Sequence, residues 1–108
     1  MKVYVDANPN FYAIVAEDNG ICLSGKFEST LTNNEAEYEA VLRALENVKD
    51  LTEILSDSQL VVRQLNHEYA IKEERLRKRA MKVWELTRGK VKFIWIPREI
   101  NKAGKVLG

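Results

Sequence analysis

Residues 51–59 read LTEILSDSQ, and this stretch decides the fold that the sequence predicts. Its first part, residues 51–56, is a short apolar run of strand length, and Asp57 follows it directly, ahead of a helical pattern. A predicted helix from Asn33 to Val48 precedes this strand. A helix-plus-strand crossover of this length indicates that residues 51–56 run parallel to the first predicted strand. We therefore expect residues 51–56 to lie beside the first predicted strand, Lys2 to Asp6.

Alternating and periodic apolar residues predict the remaining elements. The other strands are Phe11 to Glu17, Ile21 to Glu28 and Val91 to Ile96, and the other helices are Ser58 to Leu65, Glu73 to Thr87 and Asn101 to Leu107. Residues 18–20 read Asp-Asn-Gly, a hairpin turn signal that makes the second and third strands antiparallel neighbours. The prediction is an α/β fold with a mixed five-stranded sheet, three strands antiparallel and then two parallel, flanked by helices. A chain of 108 residues predicts one domain, 1–108.

Composition excludes several classes of protein. The chain has one cysteine and one histidine, which exclude an intramolecular disulfide and a zinc finger. No apolar run approaches the roughly 20 residues of a membrane span, and Asp6 interrupts the apolar start that a signal peptide would continue. We therefore expect a cytoplasmic protein without a membrane partner, whose metal, if it has one, is a hard cation held by oxygen.

Three carboxylates occupy positions that suit a site better than they suit stability. Asp6 ends the first strand, Asp57 ends the strand at residues 51–56, and Glu37 lies near the start of the first helix. Glu37 precedes Val41 of the buried stripe by one turn, so it points toward the sheet. A carboxylate there needs a partner, because burying an unpaired charge costs several kcal/mol. We expect the three acids to converge on one metal-binding cluster.

Charge is distributed unevenly along the chain. Residues 72–92 hold nine basic and three acidic residues, whereas the remainder holds eight basic and thirteen acidic residues. The basic segment is either a phosphate-binding surface beside the acidic cluster or an ordinary solvated helix face.

Several blocks, taken together in order and spacing, are typical of one family. They are residues 32–38 (TNNEAEY), 56–61 (SDSQLV), 64–66 (QLN) and 95–99 (WIPRE), with Tyr69, Leu76 and Asn101. Over nearly its whole length the chain resembles a type 1 ribonuclease H, of the compact archaeal and bacterial kind. The resemblance implies a ribonuclease H-like fold and an enzyme that cleaves the RNA strand of RNA·DNA hybrids with two Mg²⁺ or Mn²⁺ ions.

The resemblance also assigns roles to seven residues. It implies that the metal-binding and catalytic residues are Asp6, Glu37 and Asp57. It implies that the residues contacting the hybrid are Asn33, Asn34 and Gln59 in the minor groove and Thr32 near a phosphate. Amide side chains suit 2′-hydroxyls and base edges in a wide, shallow groove. Taken singly, the same four residues would read as helix-start residues, with Thr32 as a cap that forms a capping box with Glu35.

One position departs from the family pattern. A fourth carboxylate usually stands four residues after the asparagine that matches Asn101, and that position is Lys105 here. Lys105 either neutralises a phosphate oxygen or is a solvent-facing lysine, and Glu99 is a candidate replacement carboxylate. With fewer ligands, Mn²⁺ is expected to outperform Mg²⁺, which demands stricter geometry. The proton-shuttling histidine of some members is also missing, since His67 reads as a surface residue.

Two alternatives to an active endoribonuclease remain at this point. The first is a binding module that grips hybrids or double-stranded RNA and cleaves weakly or not at all because of Lys105. The second is another polynucleotide-processing enzyme of the same fold, such as an exonuclease or an integrase-like domain, against which Asn33, Asn34 and Gln59 argue. We expect a monomer, with Trp84 and Trp95 in the core.

Overall fold

The first strand of the chain lies at the centre of the sheet. In the computed structural model, which describes residues 1–108, the strands are β1 (Lys2–Ala7), β2 (Phe11–Ala16), β3 (Ile21–Lys26), β4 (Glu53–Ser56) and β5 (Lys92–Trp95). The helices are α1 (Asn33–Asn47), α2 (Gln59–Leu65), α3 (Glu74–Thr87) and α4 (Lys102–Leu107), with 3-10 turns at Glu17–Asn19 and Arg98–Ile100. Every predicted element is present, and the boundaries differ by up to two residues at each end.

The order of strands in the sheet is β3-β2-β1-β4-β5. β1 and β3 each pair antiparallel with β2, whereas β1 with β4 and β4 with β5 are parallel pairs. The predicted mixed sheet of three antiparallel and two parallel strands is therefore confirmed. Because β1 and β4 run parallel, with Tyr4 opposite Leu55, their carboxyl ends open at the same edge of the sheet.

Local sequence explains how α1 and α3 begin and end. The Thr32 hydroxyl accepts from the Glu35 N–H at 3.1 Å, and the Glu35 carboxylate accepts from the Thr32 N–H at 3.1 Å. This is the predicted capping box. α3 ends in two consecutive residues with positive φ. Arg88 is the capping residue, in a left-handed conformation with φ 49°, and Gly89 follows with φ 74°.

The main core lies between the sheet and the layer formed by α1, α2 and α3. Its largest buried side chains come from both layers, and among them are Val3, Ile14, Tyr38, Ile54 and Val83. The Tyr38 hydroxyl donates to Gln64 Oε1 at 2.8 Å, which satisfies a polar group inside this core.

The opposite face of β1 carries α4. Strand alternation turns Tyr4 and Asp6 away from Val3 and Val5, and α4 packs against β1 and β2 on that side. Lys102 of α4 forms an ion pair with Glu17 and lies 6.0 Å from the centre of the Tyr4 ring. None of the helices has the length and apolar character needed to cross a bilayer.

The two tryptophans differ from the prediction that both are core residues. Trp84 is half-buried on α3, where His67 stacks on its ring with 4.5 Å between the ring centres. Trp95, at the end of β5, is 45% exposed. Trp95 is the last residue of β5, and β5 is an edge strand, so the ring has fewer neighbours to cover it.

Candidate active site

Three carboxylates meet at the carboxyl edge of β1 and β4. Asp6 lies near the end of β1, Asp57 follows β4 directly, and Glu37 projects from the beginning of α1. Each offers one oxygen to a group whose members all lie within 4.8 Å of one another. The parallel pairing of β1 with β4 brings together two acids that are distant in sequence, and the convergence expected from the sequence is present.

The carboxylates disturb one another's protonation. Burial, and then the neighbouring charges of Asp6 and Asp57, raise the pKa of Glu37 to about 8. Burial, and then Asp57, also raise the pKa of Asp6. The guanidinium of Arg98 acts in the opposite direction on both groups, but its effect is smaller. The site therefore concentrates more negative charge than its own residues neutralise.

One oxygen of Glu37 has no partner in the protein. Its Oε1 is buried and accepts no hydrogen bond, and it is the only buried side-chain nitrogen or oxygen atom in this condition. Buried polar atoms in native proteins are almost always satisfied, so an unpartnered oxygen at a cluster of acids fits a site that binds a cation. Hard divalent cations prefer carboxylate oxygens, and the donor set Asp6, Glu37 and Asp57 therefore fits Mg²⁺ or Mn²⁺.

Asn101 supports the cluster from beneath. Its side chain is completely buried, and its Nδ2 donates to Asp57 Oδ2 and to the carbonyl of Val5, both at 3.0 Å. Its Oδ1 accepts from the Ala103 N–H at 3.1 Å and thereby caps α4. One amide thus fixes an Asp57 oxygen and the strand just before Asp6.

The residue of α4 that approaches the acids is Gly104. A Cβ added to Gly104 would lie 3.2 Å from Asp6 Oδ2. Lys105 is exposed and does not line the cleft above the acids, so it is the solvent-facing lysine of the two alternatives. Glu99 is also exposed and lies outside both the cluster and the cleft lining. No side chain replaces the fourth carboxylate.

The cleft above the acids has a volume of about 470 Å³ and a strongly polar lining. Asn33 and Asn34 line it from α1, so the structure brings these two predicted residues to the acids. Thr32 and Gln59 do not line it. Thr32 is exposed at the cap of α1, and Gln59 is exposed as the first residue of α2. They lie at the starts of the two helices that flank the cleft.

Seven other residues line the cleft and were not predicted from the sequence. They are Ala7, Asn8, Ser58, Arg98, Gly104, Leu107 and Gly108. Arg98 is the only cationic residue among the lining residues. Arg98 belongs to the WIPRE block, residues 95–99, which contributes to the family resemblance, and no local pattern in the sequence places its guanidinium near the acids.

The basic segment at residues 72–92 is mostly α3, which packs against α1. Two of its arginines are used within the fold, because Arg79 pairs with Glu35 and Glu39, and Arg77 pairs with Glu74. The other cations are exposed, and they are Lys72, Arg75, Lys78, Lys82, Arg88, Lys90 and Lys92. Contact of this segment with nucleic acid stays a prediction.

Comparison with known proteins agrees with this architecture. A family model described as reverse transcriptase-like matches residues 5–107. The chain is 32% identical over 103 residues to Ribonuclease HI of Halobacterium salinarum, and the match covers 89% of this chain and 52% of that protein. The chain thus spans about half the length of this curated relative.

Solved structures extend the comparison to three dimensions. RNase H1 from the halophilic archaeon Halobacterium salinarum is similar with a TM-score of 0.82 and 27% identity, over 98% of this chain and 92% of that one. LC11-RNase H1, in a crystal structure described as a complex with RNA/DNA hybrid, is similar with a TM-score of 0.77 and 28% identity, over 99% of each chain. The fold is therefore that of ribonuclease H.

Proposed function

We propose, from the premise that the chain belongs to the reverse transcriptase-like family, that it is a metal-dependent endonuclease acting on the RNA strand of RNA·DNA hybrids. One observation carries the proposal: three acids converge beneath an open polar cleft, and one of their buried oxygens has no partner. A fold can support many activities, so the site has to carry the argument for this one.

Asp6, Glu37 and Asp57 are the residues that would hold two divalent cations. When bound, such cations activate a water molecule and neutralise the charge that develops on a phosphate. The protein contributes the arrangement: Asn101 orients one oxygen of Asp57, and β1 and β4 hold Asp6 and Asp57 at one edge. Arg98 places a permanent positive charge in the same cleft, where it can contact a phosphate oxygen.

Asn33 and Asn34 are the residues proposed to recognise the hybrid inside the cleft. Their amides can donate to and accept from 2′-hydroxyls and base edges, which separates RNA from DNA at that point. Gln59 and Thr32 flank the cleft and would extend the interface outward. The Thr32 oxygen already accepts from Glu35, so its hydroxyl hydrogen remains the group for a phosphate. The LC11 relative, described in complex with an RNA/DNA hybrid, is consistent with this substrate.

A binding module with little cleavage is the second candidate. The observation that favours it is the absence of a fourth carboxylate, since α4 presents Gly104 to Asp6. Such a module would keep the amides and the cleft but hold its cations weakly. The substrate would then be a hybrid or double-stranded RNA.

A cleavage assay with end-labelled duplexes separates these candidates. A hybrid, an all-DNA duplex and double-stranded RNA are incubated with Mg²⁺, with Mn²⁺ or with EDTA, and Asp57→Asn serves as the control for contaminating nuclease. We expect internal cuts in the RNA strand of the hybrid, stronger with Mn²⁺ and absent with EDTA or Asp57→Asn. Tight hybrid binding without metal-dependent cuts would favour the module. Equal cleavage of the all-DNA duplex would refute hybrid specificity.

We propose that the functional unit is a monomer that works in the cytoplasm. Cys22 is a free, exposed thiol, which is compatible with the reducing cytoplasm. Size-exclusion chromatography with light scattering at the assay concentration tests the first of these points.

A further inference from the structure

Trp95 is an exposed tryptophan whose indole N–H makes a hydrogen bond to the backbone. It ends β5, 45% of its surface is exposed, and its Nε1–H donates to the carbonyl of Asp57 at 3.1 Å. Asp57 is one of the three clustered acids. An exposed ring gains little from burial, so its position is better explained by the bond that it makes.

The peptide unit that links Asp57 to Ser58 is held at both of its polar ends. Its carbonyl accepts from Trp95, and its N–H donates to the buried Ser56 hydroxyl oxygen at 3.0 Å. Fixing both ends fixes the plane of this peptide. The carbonyl of the preceding residue, Ser56, accepts from the Ile96 N–H at 2.9 Å, so the backbone is held on both sides of Asp57 and its side chain leaves in a defined direction. Asn101 then holds the far end of that side chain through Oδ2.

Such control matters because a metal site tolerates little displacement of its ligands. Groups that orient the ligands influence metal affinity nearly as strongly as some ligands do. A ligand in a segment between a strand and a helix has no regular hydrogen-bond ladder of its own, so side chains must supply the restraint. Ser56, Trp95 and Asn101 provide that restraint at three points around Asp57.

We propose that Trp95 is a positioning residue that sets the orientation of Asp57 for metal binding. The proposal rests on the proposed metal-dependent function and adds a residue outside the acids and the cleft lining. The indole N–H acts through the Asp57 carbonyl and does not contact the metal or the substrate. The prediction is therefore a defect in metal affinity that is separable from global stability.

Trp84 provides a matched control within the same chain. Its Nε1–H also donates to a backbone carbonyl, that of Leu65, at 3.0 Å. Leu65 is the last residue of α2, whereas Asp57 lies two residues before the first. Replacing either tryptophan with phenylalanine removes one indole–carbonyl bond and retains an aromatic ring. The two variants differ in whether the lost bond reaches a clustered acid.

The experiment compares Trp95→Phe, Trp84→Phe and the unmodified chain by calorimetric titration with Mn²⁺, thermal unfolding in EDTA and hybrid cleavage. Trp95→Phe should bind Mn²⁺ about tenfold more weakly, in the range seen when groups that orient metal ligands are removed. Saturating Mn²⁺ should restore much of its cleavage rate. Trp84→Phe should match the unmodified chain in Mn²⁺ affinity, whatever its melting temperature.

Unchanged Mn²⁺ affinity in Trp95→Phe, together with normal folding, would overturn the positioning role and leave the nuclease proposal intact. Absence of Mn²⁺ binding and of cleavage in the unmodified chain would instead overturn the proposed function. If Trp95→Phe does not fold, the Trp84→Phe variant provides the test, because Trp95 is the only tryptophan that it retains. The fluorescence of Trp95 should change during titration with Mn²⁺, with the same midpoint as the calorimetric titration. Fluorescence that does not respond to Mn²⁺ would refute the proposal.

Discussion

Two glutamates stand two residues apart in α1, one at the contact between α1 and α3 and the other in the cleft above the acids. Glu35 lies in the seam between α1 and α3, where its carboxylate accepts from Arg79 Nη1 at 3.1 Å and from the Thr32 N–H. Glu37 lies in the cleft, with one buried oxygen that accepts nothing. The Thr32 N–H contributes most to lowering the pKa of Glu35, whereas burial raises the pKa of Glu37 to about 8.

Glu35 is a charged residue that stabilises the fold, whereas the carboxylate of Glu37 has an oxygen that remains available to a ligand. At the seam, every buried side-chain acceptor is matched by a donor from the same chain, so no further ligand is needed to satisfy it. In the cleft, the acids repel one another and the fold tolerates the cost. Sites often carry such locally unfavourable arrangements because binding relieves them.

The largest effect on cleavage is expected when two single variants, Glu37→Gln and Glu35→Gln, are compared. Glu37→Gln removes a proposed metal ligand and should lower hybrid cleavage by about 10³-fold or more, because metal ions supply several kcal/mol of charge stabilisation. Its thermal stability without metal should not fall, since a source of repulsion is gone. Glu35→Gln should retain cleavage below its melting temperature. Near-normal cleavage by Glu37→Gln would remove this residue from the site.

The pH dependence of stability should differ between the two regions. Glu37 has a folded-state pKa of about 8 against an ordinary value of 4.5. Between those values the folded protein keeps a proton that the unfolded chain loses, so metal-free stability should fall by a few kcal/mol as pH rises from about 4.5 to 8. Glu35 has a lowered pKa, and its contribution is present above its ordinary pKa and is lost on acidification.

Urea unfolding in EDTA at several pH values measures this effect. Glu37→Gln should flatten the decline between pH 5 and 8. A variant with the same slope as the unmodified chain in that interval would assign the titration to another group.

Breaking the seam should reduce stability without disabling the cleft. Arg79 bridges Glu35 and Glu39, with its Nε 2.8 Å from Glu39 Oε2. Arg79→Ala leaves the buried Glu35 carboxylate without its cation and should cost about 2 kcal/mol, less than a fully enclosed pair. Lys82→Ala, at an exposed position of the same helix, is the control and should stay within about 0.5 kcal/mol. Equal unfolding free energies for the two variants would contradict the role given to the seam.

Removing a cleft amide should have a smaller effect that appears in substrate binding. Asn34→Ala should weaken hybrid binding by roughly fivefold to tenfold, the worth of about one hydrogen bond. Asn47, exposed at the opposite end of α1, provides the control variant Asn47→Ala. Fluorescence anisotropy in Ca²⁺ measures both, and indistinguishable affinities would move the substrate away from Asn34.

The smallest effect is expected at Lys105, which lies outside the cleft. Lys105→Asp should change stability by less than about 0.5 kcal/mol. It should also leave Mn²⁺ affinity unchanged. Gly104→Asp, one residue earlier, would place a carboxylate against Asp6 and should strengthen Mg²⁺ binding. Stronger metal binding by Lys105→Asp alone would restore the assignment made from sequence.

Local patterns were sufficient to predict most of the fold and the convergence of the acids. The alternation of β1 and the helical spacing that turns Glu37 toward the sheet are both local properties, and the parallel pairing of β1 with β4 followed from the crossover. The capping box formed by Thr32 and Glu35 was also predicted from local sequence.

What the sequence did not predict depends on contacts between distant segments. Whether residue 104 or residue 105 faces Asp6 depends on where α4 docks, and one residue changes its direction by about 100°. The exposure of Trp95 depends on what covers β5, and the place of Arg98 depends on the path of a turn. None of these properties is encoded by local periodicity.

The buried amide of Asn101 has a consequence for the stage of folding at which the cluster of acids is fully formed. It donates to the carbonyl of Val5 across 96 residues of sequence. During synthesis, all three acids leave the ribosome well before this amide is available, and long-range contacts of this kind close late in folding. The docking of α4 is therefore expected to be the last step in forming the site. Until then, a nascent chain contains the three acids without the Asn101 amide that orients Asp57.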